Sequence, residues 1–370
     1  MMFEEVKSYV DSITQEKGFP YIDVLVYRDH KEEYRYFTSC EQPVTGKEKL
    51  SAFSCTKPVT VVGAMKLVEE GKISLDDEVG KYLPAFYDAY MLDEDGNKVP
   101  VEPILIRHLF TMSAGIDYDR NTPELNYIKE NCPEATTAEV VSAFVKKPLH
   151  FKPGEKYMYS LCHDVLGAII EIVSGMNLGD YMRENIFLPL GMNNSSMKAT
   201  DFEGNYPLTH NITDNGYVSD GGAAYRSFHF SKNYYSGGAG LVTTVEDYAI
   251  FADALASGGV GKNGNRIIKE ETIKLINTVQ IQNLNIQNNF TCVQGKDYGY
   301  GLGVRVRKAA LDCGIPVGEF GWDGAAGTYV LVDTKNKISV VIGFNILEWP
   351  RIFAKDHLAI AERIYKELLK

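Results

Sequence analysis

Apolar and polar positions alternate along the chain in a pattern that predicts helices and strands near its amino terminus. Apolar residues keep helical spacing in residues 3–16 and 55–70, and Gly71 is placed to cap the second of these helices. Short runs rich in β-branched and aromatic residues predict paired strands in residues 21–28 and 33–38. The first part of the chain is therefore predicted to be helix, hairpin and helix.

The pattern becomes mostly helix and loop up to about residue 230, and it changes again near the carboxyl terminus. Residues 163–174 form another predicted helix, with Gly175 just beyond its end. Beyond residue 290, YGYGLGVRVR, GTYVLVD and ISVVIGFN predict strands, and the last 20 residues are again helical. Because strands occur at both ends of the chain, we expect one antiparallel sheet built from both termini, flanked by the terminal helices, with a helical lobe inserted. This is an α/β (α+β) architecture.

Two lobes with a cleft between them follow from this arrangement. We expect residues 1–60 and 235–370 to form the sheet lobe and residues 61–234 the mainly helical lobe. Residues 203–238 are rich in Gly, Asn and Tyr and have no clear periodicity. They are therefore expected to form a long irregular loop that packs on the protein and lines the cleft.

Composition narrows the range of partners. The 370 residues are 45% hydrophobic and carry a formal net charge of −11, which argues against a nucleic-acid partner. No apolar run approaches about 18 residues, so no membrane span is predicted. The charged, amphipathic amino terminus lacks the pattern of a secretion signal, so we expect a cytoplasmic protein with reduced thiols. The implied partner is a small molecule, and the sequence does not indicate the oligomeric state.

Cysteines, histidines and acidic clusters predict no cofactor. The six cysteines are scattered without a CxxC pair, and the seven histidines lack ligand-like spacing. Residues 93–97, DEDGN, have a glycine too early for a calcium loop of the EF-hand type, so a solvated hairpin turn is expected. No metal ion and no organic cofactor is implied.

A serine followed three residues later by a lysine occurs twice, in SCTK (54–57) and SSMK (195–198). Ser54 opens a predicted helix, which places Lys57 one turn ahead on the same face and leaves the Ser54 amide without a partner inside the helix. Such a pair is either a nucleophile with its base or a capping serine beside a solvated lysine. Ser195 lies in a polar, turn-like stretch with no amphipathic helix behind it, so the second match is interpreted as accidental.

The sequence around Ser54 resembles a known family. KEKLSAFSCTKPVTVVGAMKLVEEGKISLDDEVGKYLP, residues 47–84, is similar to the nucleophile segment of the serine β-lactamase and penicillin-binding-protein superfamily, especially class C β-lactamases and family VIII carboxylesterases. The resemblance continues in family order through ILIRHLFTMSAGI, FKPGEKYMYSLCHDVLGAIIEIVSG, YMRENIFLPLGM, GGAGLVTTVEDYAIFADALASGG, GYGLGVRV and FGWDGAAGTYVLVD. It covers nearly the whole chain and implies a β-lactamase/transpeptidase-like fold.

This resemblance implies a catalytic trio. Ser54 is the implied nucleophile, and Lys57 with Tyr159 is the implied base. Tyr159-Ser160-Leu161 matches the family's Tyr-x-Asn motif, and Tyr157 is assigned to a packing aromatic. We expect the ammonium of Lys57 to favour the phenolate form of Tyr159.

A third motif, Trp322-Asp323-Gly324, matches the family's Lys-Thr-Gly strand. The resemblance implies that the amides of Ser54 and Ala325 form the oxyanion hole. Trp322, Asp323 and Gly324, together with Leu161, are expected to bind substrate. Trp322 replaces the lysine that meets a substrate carboxylate in β-lactamases, and Leu161 replaces an amide side chain.

These departures favour a carboxylesterase that forms an acyl-enzyme on Ser54. The alternatives are a β-lactamase or D-Ala-D-Ala carboxypeptidase, and a catalytically idle member that keeps the cleft to bind a ligand.

Overall fold

The computed structural model describes residues 3–40, 43–202, 209–213, 216–281, 297–347 and 351–370. The helices are α1 (Glu4–Lys17), α2 (Thr56–Glu69), α3 (Ile106–Phe110), α4 (Pro123–Asn131), α5 (Thr137–Ser142), α6 (Cys162–Ser174), α7 (Leu178–Met182), α8 (Leu188–Leu190), α9 (Ala223–Arg226), α10 (Val245–Ala256), α11 (Glu270–Ile276) and α12 (His357–Leu368). The strands are β1 (Ile22–Arg28), β2 (Lys31–Thr38), β3 (Leu50–Ser51), β4 (Tyr90–Leu92), β5 (Lys98–Pro100), β6 (His210–Thr213), β7 (Gly216–Ser219), β8 (Val242–Thr243), β9 (Tyr298–Tyr300), β10 (Arg305–Arg307), β11 (Phe320–Asp323), β12 (Tyr329–Asp333), β13 (Ile338–Gly343) and β14 (Ile346–Leu347).

One antiparallel sheet of seven strands, in the order β2-β1-β13-β12-β11-β10-β9, joins the two ends of the chain. The junction is the pair β1–β13, in which Asp23 faces Gly343 and Arg28 faces Ile338. The prediction of a single sheet built from both termini is confirmed. Where the chain passes from one lobe to the other, at residues 60/61 and 234/235, stays a prediction.

The two faces of this sheet belong to different cores. Val24 of β1 packs with residues of α1 and α12, whereas its neighbour Leu25 packs with the larger core that contains α2 and α6. Successive side chains of a strand point to opposite faces, so one strand contributes to both layers. The predicted flanking position of the terminal helices is confirmed, and α2 and α6 lie on the opposite side.

Residues 203–238 are more regular than the sequence predicted. Within the described residues of this segment, β6 and β7 form a hairpin, α9 follows, and β6 pairs in parallel with β14. The expectation of an irregular loop is therefore wrong for residues 210–213, 216–219 and 223–226, while residues 203–208 and 214–215 lie outside the described residues. That the segment lines the cleft stays a prediction. Strands of four residues are too short to show a clear period, and β14 lies far along the chain.

The helix predicted at 55–70 is α2, and the turn predicted at 93–97 joins β4 to β5. In the described ranges, no helix is both long enough and apolar enough to cross a membrane.

Candidate active site

Ser54 lies in a strained turn at the start of α2. Residues Phe53–Cys55 form one turn of 3₁₀-helix, and Phe53 has a φ of 44°, a left-handed conformation that non-glycine residues rarely adopt. The amide of Cys55 donates to the carbonyl of Ala52 and closes this turn. Such strain persists only where the surrounding structure fixes it, and it is concentrated at functional sites.

Lys57 and Tyr159 both contact the hydroxyl of Ser54. The Nζ atom of Lys57 lies 3.2 Å from Ser54 Oγ, and the phenol of Tyr159 donates to the same oxygen at 2.6 Å. Lys57 Nζ also donates to the carbonyl of Gly238 at 2.8 Å and lies 4.7 Å from the centre of the Tyr159 ring. All three side chains are buried. The structure therefore brings together the predicted nucleophile and its two predicted bases.

The environment of Tyr159 opposes the expected phenolate. Burial raises the pKa of its phenol well above the ordinary value, and the neighbouring Tyr118 adds to that rise. The expected phenolate is thus disfavoured in the resting site, because desolvation penalises the charged form.

Aromatic stacking holds Tyr159 in place. Its ring lies between Tyr118, at a centroid distance of 5.2 Å and an interplanar angle of 8°, and Trp322, at 5.6 Å and 21°. Tyr157 instead packs against Tyr300 at 5.0 Å, in agreement with its predicted packing role. Tyr118 was not identified from the sequence, because a single aromatic residue in a loop carries no periodic or motif signal.

The end of β11 approaches the Ser54 turn closely. A β-carbon on Gly324 would collide with the carbonyl oxygen of Ala52, so only glycine allows this approach. Ala325 packs against the small apolar cluster that contains Phe53, the residue before Ser54. The predicted oxyanion-hole residues, Ser54 and Ala325, therefore lie on two segments that touch each other.

Comparison with known proteins identifies the family of the chain. The family model named Beta-lactamase matches residues 6–364. The chain belongs to the beta-lactamase family. The Escherichia coli (strain K12) protein named "Putative D-alanyl-D-alanine carboxypeptidase" is 27% identical over 366 residues, which cover 88% of this chain and 78% of that protein.

Solved structures show the same fold for nearly the whole chain. EstCE1, described as a hydrolase with promiscuous acyltransferase activity, has a TM-score of 0.79 and 24% identity, and the match covers 98% of this chain and 99% of EstCE1. The octameric penicillin-binding protein homologue from Pyrococcus abyssi has a TM-score of 0.72 and 24% identity, with 98% of this chain and 77% of that one covered. The β-lactamase/transpeptidase-like fold is thereby shown.

In this member of the beta-lactamase family, Asp323 does not line the reaction centre. Its carboxylate lies 3.1 Å from Arg305 Nη1 and 2.8 Å from His357 Nδ1, and all three side chains are buried. Trp322 faces Tyr159, so Asp323, the next residue of β11, points to the other face of the sheet. The expected substrate contact of Asp323 is therefore corrected to a buried ion network.

Leu161 is the residue before α6, and its side chain is part of the main core. Its amide donates to the carbonyl of Asp117 at 3.1 Å, which fixes the start of the helix beside the Tyr159 segment. A role in substrate binding stays a prediction for Leu161, Trp322 and Gly324.

The second serine–lysine pattern of this chain has a different environment. Ser195 Oγ contacts Thr243 and Asp247, while Lys198 Nζ donates to the carbonyl of Lys232 at 2.6 Å. The two side chains therefore serve separate packing contacts. The interpretation of this match as accidental agrees with these contacts.

Proposed function

We propose that the protein is a serine hydrolase that cleaves carboxylic esters through an acyl-enzyme on Ser54. The observation that carries this proposal is that Lys57 Nζ and the Tyr159 phenol meet on a single atom, Ser54 Oγ. A nucleophile within hydrogen-bond reach of a base is the arrangement that covalent catalysis requires.

The reaction has two halves. Once the trio has lost a proton, Ser54 Oγ attacks the ester carbonyl carbon, and its own proton passes to Lys57 and Tyr159. The tetrahedral intermediate collapses, the bond to the leaving alkoxide oxygen breaks, and the same proton completes the alcohol. Water then attacks the acyl carbon and transfers a proton to the same base. The bond between the acyl carbon and Ser54 Oγ breaks, the base returns that proton to Oγ, and the carboxylic acid leaves. The amides of Ser54 and Ala325 stabilise the oxyanion in both halves.

The surroundings of Ser54 favour an uncharged ester. Trp322 occupies the position at which other members have a lysine, and it stacks on Tyr159. Phe53 and Tyr118 both pack against Phe228, at centroid distances of 5.9 and 6.3 Å. Apolar groups gain free energy when they are buried against such rings, whereas a carboxylate that loses a charge-assisted contact loses about 1.5–3 kcal/mol.

A direct test compares wild type with Ser54→Ala on p-nitrophenyl acetate and butyrate. We expect wild type to release p-nitrophenol and Ser54→Ala to lose that activity, because no other hydroxyl occupies the position. Equal, slow hydrolysis by both proteins would contradict the assignment. A panel of esters of increasing acyl length would then measure the depth of the acyl pocket.

A D-alanyl-D-alanine carboxypeptidase or β-lactamase is the second candidate. The name of the Escherichia coli relative favours it. So does Arg120, whose guanidinium lies 4.1 Å from the centre of the Phe228 ring and is a cation near the aromatic cluster. Labelling of Ser54 by a fluorescent penicillin, seen as a band on a gel, would favour this candidate. A protein that reacts with neither ester nor penicillin would be the idle, ligand-binding alternative.

A further inference from the structure

Asp164 is a buried carboxylate on α6 that sequence analysis did not assign to any role. Its Oδ1 atom accepts hydrogen bonds from the Tyr234 phenol at 2.5 Å and from the Ser236 hydroxyl at 2.7 Å. Ser236 in turn accepts the amide of Ala239, so its own proton is directed to Asp164. Hydrogen bonds of this length from O–H groups are typical of an ionised acceptor.

Gly238 connects Asp164 to Lys57. The backbone amide of Gly238 is a hydrogen-bond donor to Asp164, and its carbonyl accepts Lys57 Nζ at 2.8 Å. A β-carbon placed on Gly238 would lie 2.7 Å from Asp164 Oδ2 and 3.5 Å from Lys57 Nζ. The carboxylate of Asp164 and the amine of Lys57 therefore both lie next to the Cα atom of Gly238. A side chain at this position would collide with the carboxylate, so glycine is required here.

In the described part of the chain, burial favours the neutral form of the other titratable groups that face Lys57. Burial raises the pKa of Tyr118, Tyr159, Cys55 and Cys162, and burial together with the Lys57 charge lowers the pKa of His163. Burial also raises the pKa of Asp164, but its hydrogen bonds and the Lys57 charge oppose that rise. The two O–H groups that donate to Asp164 Oδ1 nevertheless favour its ionised form, so the geometry assigns the negative charge in this set to Asp164.

We propose that Asp164 is a positioning residue that holds Lys57 as an ammonium ion in the free protein, with Gly238 as the bridge between them. Each charge lowers the cost of burying the other, because opposite charges attract strongly in a site that excludes water. The catalytic meaning of this pair rests on the proposed function: Asp164 sets the pH at which the Ser54–Lys57–Tyr159 trio gives up its proton. A nearby anion stabilises the protonated trio whichever member carries the proton.

The test is a direct titration of Lys57 by NMR, with ¹³C at the lysine Cε and the Lys57 resonance assigned by its loss in Lys57→Arg. In wild type, this resonance should report an ammonium at pH 7. In Asp164→Asn, which keeps the shape and removes the charge, the titration midpoint should fall by about one pH unit or more. The matched control is Asp247→Asn, because Asp247 is also buried and bonded to a serine hydroxyl and a backbone amide. It should leave the Lys57 midpoint unchanged.

A neutral amine at pH 7 in wild type overturns the proposal, even where Asp164→Asn does not fold. An unchanged midpoint in folded Asp164→Asn overturns it as well. This readout needs no turnover, so it is separate from the proposed function. If wild type shows no ester activity but Lys57 titrates as predicted, the esterase function is refuted and the role of Asp164 stands. If wild type hydrolyses esters but the Lys57 titration is not as predicted, the role of Asp164 is refuted and the esterase function stands.

Discussion

The phenol oxygen of Tyr159 lies 2.6 Å from the hydroxyl oxygen of Ser54, although 105 positions separate the two residues in the sequence. The contact connects the turn before α2 to the segment before α6, and the two helices pack against each other. The Lys57 amine completes the contact from within α2. Under the proposed function, the three groups act as one proton-sharing unit, so the loss of any member is expected to impair the others.

Tyr159→Phe tests whether the phenol itself takes part in the reaction. The substitution keeps the ring between Tyr118 and Trp322 and removes only the oxygen, so we expect the protein to stay folded while kcat for p-nitrophenyl butyrate falls by about 10²–10⁴-fold. Tyr157→Phe is the matched control, because Tyr157 is equally buried and packs against Tyr300. Equal activity in the two variants would remove Tyr159 from the mechanism.

The two serine–lysine patterns should respond differently to mutation. Ser195→Ala and Lys198→Ala remove only structural contacts, so the rate of ester hydrolysis should stay close to that of wild type. Ser195→Ala should lower the free energy of unfolding by about 1 kcal/mol, because it removes the hydrogen bond to Asp247. Lys57→Ala should abolish hydrolysis. Steady-state rates measure the activity of each variant, and chemical unfolding measures its stability. A Ser195→Ala variant that is folded but inactive would show that the second pattern is functional.

Asp323 should govern stability rather than the choice of substrate. Asp323→Ala leaves the buried Arg305 guanidinium without one of its anions, and we expect a loss of about 3 kcal/mol in the free energy of unfolding. The relative rates on neutral and carboxylate-bearing esters should not change. Glu270→Ala, which breaks the exposed pair with Lys274, should leave stability unchanged. If Asp323→Ala kept its stability but changed the ratio of the rates on neutral and carboxylate-bearing esters, Asp323 would have a role in substrate binding.

Asp23 should make stability depend on pH. Burial raises the pKa of this carboxyl to about 6, although Arg35 and Tyr21 hydrogen-bond to it. The folded state then binds the proton more tightly than the unfolded state, so the contribution of Asp23 is complete below about pH 4 and is lost as the pH rises through 6.

Urea unfolding of wild type and Asp23→Asn between pH 4 and 7 measures this contribution. The variant should gain about 2–3 kcal/mol relative to wild type across that range, because its amide does not ionise. A constant difference between the two proteins would contradict the raised pKa.

Motif order in the sequence was sufficient to predict Ser54, Lys57 and Tyr159 as neighbours. The direction of the side chains on β11 could not be predicted in this way. Consecutive residues of a strand alternate between its faces, and the sequence does not say which face meets the cleft. Asp323 was misplaced for that reason. Asp164 was missed because its partners, Tyr234, Ser236 and Gly238, come from a distant segment and share no pattern with it.

The fold was predicted to a similar extent. Long periodic segments such as α1, α2 and α6 and the strands near both ends were identified correctly. The short strands β6, β7 and β14 were missed, because their pairing is decided by contacts between distant residues rather than by local preference.

The most direct test of the central claim is the site of covalent modification by a fluorophosphonate. Such a reagent reacts with a serine only where a neighbouring base activates the hydroxyl. Intact-mass analysis followed by peptide mapping should find one adduct, on Ser54, and no adduct in Ser54→Ala or at Ser195. An unmodified wild-type protein, or an adduct that persists in Ser54→Ala, would contradict the account.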